Sequence, residues 1–223
     1  MIVRADFHIH TGDDPVDRLT YSSYQAIDHA ADCGLHCMAI TNHGVNSWTF
    51  AYAEYAAAKG ILLIPGIEAR IEHRDVVILN PDACVCDINT FDELYAYRSS
   101  SRLIIAPHPY YPMRYALRGA VAHMHAALDA LEISSCYAAW CDVFNSAARR
   151  AAKQFDLPLV GNSDAHNLWQ IGSTYTEIES ASCTCEAIFA AIKKKNTRVV
   201  SHPLSTVSLI KFFMQNIIPP RFR

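Results

Sequence analysis

Two histidines separated by a single residue stand near the start of the chain, in Asp6-Phe7-His8-Ile9-His10. The apolar residues before them predict a strand. Side chains alternate between the two faces of a strand, so we expect His8 and His10 on one face and Phe7 and Ile9 on the other. Two imidazoles on one face can bind the same metal ion. The spacing therefore indicates a candidate metal site.

Other histidines and carboxylates recur along the chain, and each stands at or just past the end of a short apolar run. A single histidine in such a place is usually a hydrogen-bonded loop residue, so one example would predict little. The same placement repeated in distant parts of the chain indicates a shared site. The full set is His8, His10, His43, Glu68, His108, Asp164 and His166.

The apolar runs number about seven, and helical stretches separate most of them. Short strands that are apolar on both faces and alternate with helices predict a parallel α/β arrangement. The runs lie near residues 1–10, 35–41, 61–67, 75–79, 103–106, 131–133 and 157–160.

The positions of the polar residues favour a closed barrel over an open sheet. In a parallel barrel the carboxyl ends of the strands converge on one rim, where active sites lie. An open dinucleotide-binding sheet is less favoured, because no G-x-G-x-x-G motif follows the first predicted strand. A barrel would bring the seven polar residues into one cleft.

Imidazoles and carboxylates without thiolates suit zinc, manganese or iron. Seven or eight such ligands exceed what one ion needs, so we expect two or three divalent ions. Clustered ions can generate hydroxide near neutral pH and stabilise the oxygens of a phosphoryl group. The donor set therefore predicts hydrolytic chemistry at phosphorus.

The chain has 223 residues, of which 51% are hydrophobic, and this suits one sizeable core. We expect one barrel domain over residues 1–203 and a C-terminal tail, residues 204–223, that packs on the barrel or forms a subunit contact. The sequence leaves the oligomeric state open. A net charge of −3 gives no basic surface for nucleic acid.

The first ten residues include aspartate and histidine where a signal peptide would be apolar. No apolar run approaches the length of about 18 residues that a membrane span needs. We therefore expect a soluble cytoplasmic protein with no membrane partner. The eight cysteines form no C-x-x-C motif, and we interpret them mainly as small core residues.

Several motifs, in order along the chain, resemble those of the PHP (polymerase and histidinol phosphatase) family. They are His8-Ile9-His10, Thr41-Asn42-His43-Gly44, Gly66-Ile67-Glu68, His108-Pro109 and Ser163-Asp164-Ala165-His166. The resemblance extends from Ile2 to about Val200. It implies a distorted (β/α)7 TIM-like barrel with a trinuclear metal centre, which agrees with the count of predicted strands.

The resemblance also implies how the ligands are shared among the ions. His8, His10 and Asp164 would bind the first ion, and Glu68 would bridge two ions. His43 and His166 would bind a second ion and His108 a third. The implied metal ligands are His8, His10, Asp17, His43, Glu68, His108, Asp164 and His166.

Three positions depart from the family pattern or leave a choice open. Asp17 best fits the ligand expected after the first motif, with Asp14 as the alternative. Either Asp75 or His73 could supply a ligand near the fourth strand. The family usually has aspartate where this chain has Asn42, so the hydrogen bond that orients His43 could differ.

The implied activity is hydrolysis of a phosphate ester by metal-activated hydroxide, with Glu68, Asp164 and His166 as catalytic residues. An arginine would help to bind the phosphate, and Arg70 is the first candidate, followed by Arg114 and Arg118.

We expect a small phosphorylated metabolite or nucleotide as substrate, and no nucleic acid longer than a short oligonucleotide. Two alternatives stay open. One is an amidohydrolase-like enzyme that cleaves a C–N bond, although no predicted strand ends in the lysine typical of that class. The other is a metal-binding module of PHP type without catalytic activity.

Overall fold

The computed structural model describes residues 1–205 and 207. This part of the chain contains nine strands and six α-helices, with no α-helix between β3 and β4 or between β7 and β8. The strands are β1 (Ile2–Ile9), β2 (Cys37–Ile40), β3 (Leu62–Ile71), β4 (Arg74–Leu79), β5 (Leu103–Ala106), β6 (Ala130–Ser134), β7 (Leu159–Asn162), β8 (Thr174–Glu179) and β9 (Thr197–Ser201). The helices are α1 (Ser23–Asp32), α2 (Phe50–Ala58), α3 (Phe91–Tyr97), α4 (Val121–Met124), α5 (Val143–Phe155) and α6 (Cys185–Lys193).

All nine strands join one sheet in the order β7-β6-β5-β4-β3-β2-β1-β8-β9. The pairs β1–β2, β2–β3, β5–β6 and β6–β7 are parallel. Strand β4 is antiparallel to both of its neighbours, and so is β8. The sheet curls into a nearly closed barrel, which confirms the predicted fold class. Strands β1 to β7 correspond to the seven predicted strands, whereas β8 and β9 were not predicted.

Side-chain hydroxyl groups join β7 to the other end of the sheet. The Gly161 amide donates to Thr176 Oγ1 (2.9 Å), and the Thr176 hydroxyl group approaches the Gly161 carbonyl oxygen at 3.0 Å. Thr197 donates its hydroxyl hydrogen to the Leu159 carbonyl oxygen (3.0 Å). A Cβ atom added to Gly161 would lie 2.7 Å from Val199 Cγ1. Glycine therefore allows β7 to approach β8 and β9 closely at this seam.

A register irregularity interrupts β1 at the candidate metal site. The pairing with β2 shifts between Asp6 and Ile9. Phe7 packs in a cluster that includes side chains of most strands and of α6, whereas Ile9 packs with residues of α1 and α2. The expectation that Phe7 and Ile9 share a face is therefore wrong, because a bulge breaks the alternation there.

Helix ends follow the sequence signals in most places. α1 begins after Ser22, which forms a capping box with Gln25, and Gly34 follows it with a φ of +72°. The segment between β5 and β6 contains only a four-residue α-helix between two 3-10 turns. Arg118 has a φ of +47°, and this left-handed conformation interrupts a helix.

The end of the described chain lies beside the loop that follows β6. β9 runs antiparallel to β8 and ends at Ser201, and the Leu204 amide then donates to the Tyr137 carbonyl oxygen (2.8 Å). The predicted packing of the tail, residues 204–223, lies almost entirely outside the described residues. In the part of the chain that is described, no helix is both long and apolar enough to cross a membrane.

Candidate metal centre

The barrel brings the seven predicted polar residues together at the carboxyl ends of its parallel strands. His8 and Glu68 lie within β1 and β3, and the others lie just past the ends of β1, β2, β5 and β7. Glu68 is the centre of the group, because its Oε2 atom lies 3.5 Å from His8 Nε2, 3.3 Å from His10 Nε2 and 3.1 Å from His43 Nε2. Its Oε1 atom lies 3.5 Å from His108 Nε2.

Backbone hydrogen bonds beyond the regular strand pairs hold these segments in place. The Gly44 amide donates to the Glu68 carbonyl oxygen (2.9 Å), which joins the segment after β2 to β3. The His10 amide donates to the Ala165 carbonyl oxygen (3.1 Å), which joins the segment after β1 to the Asp164–His166 loop. Asp164 Oδ1 consequently lies 3.4 Å from His8 Nε2 and 3.5 Å from His10 Nε2.

Four imidazoles have an oxygen acceptor against Nδ1, which leaves Nε2 to face the cluster. His8 Nδ1 lies 2.9 Å from Glu132 Oε2, and His166 Nδ1 lies 3.0 Å from the Asp164 carbonyl oxygen. Asp14 Oδ2 lies 2.9 Å from Nδ1 of both His10 and His43. Such acceptors favour the tautomer with hydrogen on Nδ1 and a lone pair on Nε2, as in metal-binding histidines.

Several buried polar atoms in the cluster lack a favourable partner that a cation or a proton would supply. The Nε2 atoms of His8 and His10 are 3.1 Å apart, and two lone pairs repel each other at that distance unless a proton or a metal ion lies between them. Among the described residues, Glu68 Oε1 and His108 Nδ1 are buried without a hydrogen-bond partner. The donor set therefore fits divalent metal ions.

The charges of the cluster perturb its titration strongly. Burial would raise the pKa of Glu68, but the imidazoles of His8, His10 and His108 outweigh it and lower that pKa well below the usual value. Burial would lower the pKa of His108, but Glu68 and Asp164 outweigh it and raise that pKa to about 9. The same carboxylates raise the pKa of His8 against the effect of burial. The pocket thus favours positive charge at its centre.

Three groups of side chains could each hold an ion, since their ligand atoms lie within 4.8 Å of one another. These groups are His10, Asp14, Asp17 and His43; His8, Glu68 and His108; and His8, His10 and Asp164.

Both candidate aspartates after the first motif reach the site, but they contact it differently. Asp14 is buried, and its Oδ2 atom accepts a hydrogen bond from the His43 amide (2.8 Å) as well as contacting two Nδ1 atoms. Asp17 is half-buried, and its Oδ2 atom lies 3.0 Å from His166 Nε2. Asp14 therefore orients two imidazoles through their Nδ1 atoms, whereas Asp17 Oδ2 lies between His166 Nε2 and His43 Nδ1, which is 3.6 Å away.

Two of the predicted ligands have strained backbone conformations. His108 has a φ of +31° and Asp164 a φ of +50°, both in the region that favours glycine. Such conformations cost of order 1–3 kcal/mol each and concentrate at functional sites. The Asp164 conformation follows the end of β7 directly, where the chain turns back toward His8.

The remaining predicted residues belong to none of these three groups of ligand atoms. Arg70 donates from Nε to Asp75 Oδ1 (2.9 Å), and its guanidinium carbon lies 3.5 Å from the centre of the Tyr115 ring. Burial and the negative charge of Glu68 raise the pKa of Asp75, which indicates that Glu68 repels the charged form of this carboxylate. His73 is exposed in the turn between β3 and β4. Arg118 donates to the carbonyl oxygens of the 111–113 segment.

Asn42 contacts neither ring nitrogen of His43 among the contacts described. Its Oδ1 atom accepts from the Thr11 amide (2.9 Å), and its Nδ2 atom donates to Ser47 Oγ (2.8 Å). The amide thus joins the segments that follow β1 and β2. Asp14 occupies the position against His43 Nδ1.

Sequence reasoning did not identify Glu132, which is fully buried in β6 and contacts His8. It also missed Asp6, whose pKa burial raises to about 7 and whose Oδ1 atom accepts from the Ser163 amide (3.1 Å). A charge inside an apolar strand was the available signal, because a buried carboxylate needs partners.

Known proteins resemble this chain more in fold than in sequence. The model of a PHP-associated family matches residues 143–197, and no curated protein matches the sequence. A two-domain protein from Bacteroides vulgatus containing a predicted PHP-like metal-dependent phosphoesterase is 18% identical, with a TM-score of 0.66 over 96% of this chain and 70% of that one. PsfC from Pseudomonas syringae is 18% identical, with a TM-score of 0.64 over 97% of each chain.

A third similar structure is the lesion-specific endonuclease PfuEndoQ from Pyrococcus furiosus. It is 18% identical, with a TM-score of 0.59 over 89% of this chain and 58% of that one. The matched family segment runs from the start of α5 to the start of β9. The family match over residues 143–197 and the shared fold agree with the resemblance predicted from the motifs.

Proposed function

We propose that this protein is a metal-dependent phosphoesterase that hydrolyses a phosphate ester of a small molecule, with two or three divalent ions in the centre around Glu68. The observation that carries the proposal is the convergence of imidazole Nε2 atoms on one buried carboxylate. His8, His10 and His43 all present Nε2 within 3.5 Å of Glu68 Oε2. Zinc, manganese and iron suit this mixture of imidazole and carboxylate ligands.

The proposed ligands are His8, His10, Asp17, His43, Glu68, His108, Asp164 and His166. Bound divalent ions would supply positive charge for the phosphoryl oxygens and would lower the pKa of water. Glu68 and Asp164 contribute the negative charge that holds this positive charge in a buried pocket. Together with His166, which lies at the more open side beside Asp17, they are the proposed catalytic residues.

Arg70 is the proposed binding group for an oxygen of the phosphate. It lies on β3 two residues after Glu68, so both side chains leave the same face of the strand. Asp75 and the ring of Tyr115 hold its guanidinium group, and its side chain is 37% exposed. A fixed guanidinium group suits the planar geometry of phosphate oxygens.

The proposed substrate class is a small phosphorylated metabolite or a nucleotide. Endonuclease Q, which has a similar fold, is known in complex with a 27-mer duplex substrate, but this chain covers 57% of that chain. A net charge of −3 does not favour a long polyanion. Short oligonucleotides therefore belong in the test as a comparison class.

The direct test is to remove metal with a chelator and then add manganese, zinc or iron in the presence of several substrate classes. Phosphomonoesters, phosphodiesters, short oligonucleotides and amides would be compared. We expect hydrolysis of a phosphate ester that depends on added ions. None of the nine described strands ends in lysine, so we expect no cleavage of amides.

The variant H8A should abolish ion-dependent hydrolysis, whereas H123A should leave it unchanged. His123 is an exposed residue of α4 and serves as the matched control. Hydrolysis that persists unchanged in H8A would overturn the proposed mechanism. Binding of ions by the wild-type protein without hydrolysis of any ester would instead favour a metal-binding module.

A further inference from the structure

Glu132 is a fully buried carboxylate in the middle of β6 that accepts hydrogen bonds from three parts of the candidate metal centre. Its Oε2 atom lies 2.9 Å from His8 Nδ1 and accepts from Asn162 Nδ2 (2.9 Å). Its Oε1 atom accepts from the backbone amide of His108 (3.0 Å). The Glu132 carboxylate therefore contacts two proposed ligands, His8 and His108, that lie in distant parts of the chain.

The neighbouring hydrogen bonds leave little freedom in where the protons lie. The Phe7 amide donates to Asn162 Oδ1 (2.9 Å), which fixes the orientation of the Asn162 side chain and makes Nδ2 the atom that faces Glu132. The His108 amide is also an obligatory donor. An ionised carboxylate only accepts hydrogen bonds, so the third contact requires a hydrogen on His8 Nδ1.

We propose that Glu132 is a positioning residue of the metal centre, which fixes the His8 tautomer and ties that ring to the backbone of His108. With hydrogen on Nδ1, the Nε2 lone pair of His8 faces Glu68 and Asp164. This inference rests on the proposed function, because it takes His8 Nε2 to be a metal ligand. Glu132 itself does not contact the ions in this assignment.

The substitution E132Q tests the proposal with little change of shape. Glutamine has one side-chain oxygen and one NH2 group, so it cannot accept from His8, Asn162 and His108 together. We expect the affinity for manganese or zinc to fall by about 10- to 100-fold, as is usual when an acceptor behind a metal-binding histidine is lost. E179Q is the matched control, because Glu179 is exposed at the end of β8.

The double variant E132Q/N162D separates a positioning role from a merely structural one. The pair keeps its total charge. The glutamine introduced at position 132 can accept from the His108 amide while its NH2 group donates to the carboxylate introduced at position 162. All these groups then have partners, so thermal stability in chelator should return toward the wild-type value. The same NH2 group faces His8 Nδ1, however, and favours the tautomer with hydrogen on Nε2.

Metal affinity by calorimetry and thermal midpoints in chelator are therefore measured for the wild type, E132Q, the double variant and E179Q. We expect the double variant to recover stability while its metal affinity stays at least about 10-fold below that of the wild type. Nitrogen NMR of the zinc-loaded wild type should show hydrogen on Nδ1 of His8. If E132Q does not fold, the double variant carries the comparison.

The outcomes also separate this inference from the proposed function. Wild-type affinity in E132Q, or recovery of affinity together with stability in the double variant, would overturn the positioning role of Glu132. Metal binding by the wild type without hydrolysis of any ester would overturn the proposed function and leave the role of Glu132 intact. Failure of the wild type to bind any of the ions would overturn both.

Discussion

Asp14 is the most heavily used hydrogen-bond acceptor in the candidate metal centre. Its Oδ2 atom contacts the Nδ1 atoms of His10 and His43 and accepts from the His43 amide, and its Oδ1 atom accepts from the amides of Val16 and Asp17. Asp17, by contrast, has a partly exposed side chain that contacts His166. The two aspartates should therefore respond differently to the same substitution.

We predict that D14N lowers the free energy of unfolding of the metal-free protein by about 1–3 kcal/mol, because an amide leaves a buried donor unsatisfied. D17N should change it by less than D14N does, because the Asp17 side chain is only partly buried, yet weaken metal binding. Urea unfolding in chelator and calorimetry with manganese measure the two effects. Equal stability of D14N and the wild type would contradict the role of Asp14 as the orienting group.

The metal-free protein should lose stability as the pH rises through neutrality. The carboxylates of Glu68 and Asp164 outweigh burial and raise the pKa of His108 from 6.5 to about 9 in the folded state. A raised pKa in the folded state gives stability that is complete below about pH 6.5 and is lost as the pH rises to about 9. Urea midpoints measured in chelator between about pH 6 and 9.5 check this expectation.

H108Q is the control for that experiment, and its stability should depend less on pH over the same range. Saturating ions should reverse the trend, because they bind neutral imidazole and their affinity rises with pH. Metal-free wild-type stability that stays constant or rises between about pH 6.5 and 9 would contradict the raised pKa of His108.

The sequence was most informative about residues that end apolar runs and least informative about residues inside them. His43 and His108 follow strands, and their convergence could be expected from the geometry of a parallel barrel. Glu132 stands between Leu131 and Ile133, and its partner Asn162 lies 30 positions away, so only the fold could pair them. The spacing of residues in the sequence likewise could not decide whether Asp14 or Asp17 is the ligand, because both side chains reach the site.

At the level of elements, β1 to β7 could be predicted because each is an apolar run that the barrel buries. β8 alternates buried and half-buried residues, and all five residues of β9 are at least partly exposed, so neither forms an apolar run. The antiparallel direction of β4 could not be predicted from the sequence either. Glu72 and His73 form the turn with positive φ values, although the residues typical of such turns are Asn and Gly.

The seam between β7 and the β8–β9 pair offers a test of the barrel closure. We predict that G161A lowers the free energy of unfolding by about 1–3 kcal/mol, because its Cβ atom would lie 2.7 Å from Val199 Cγ1 and 2.9 Å from the Tyr175 carbonyl oxygen. Chemical denaturation measures this difference.

G119A is the matched control for the seam, because a Cβ atom at Gly119 has nothing within 4 Å. Its free energy of unfolding should differ from the wild-type value by less than about 0.5 kcal/mol. A tolerated G161A would show that the two ends of the sheet do not pack as closely as the described contacts indicate.

At the scale of the whole molecule, ions that bind only the folded state should stabilise it. One ion at about 100 times its dissociation constant contributes about 2.7 kcal/mol. For a domain of this size the thermal midpoint should rise by about 5–10 °C. Differential scanning calorimetry with chelator or with manganese measures this shift, and E68Q should greatly reduce it. An equal shift in E68Q would place the stabilising ions elsewhere.

β1 lies in the interior of the sheet, between β2 and β8, and the Phe7 amide donates to Asn162, which is 155 positions away. During translation the two leading imidazoles leave the ribosome long before the carboxylate of Asp164 is made. The nascent chain therefore holds them without this partner until Asp164 has been made. The full set of proposed ligands is therefore present only after Asp164 and His166 have been made, and a chain that stops before them lacks part of the site.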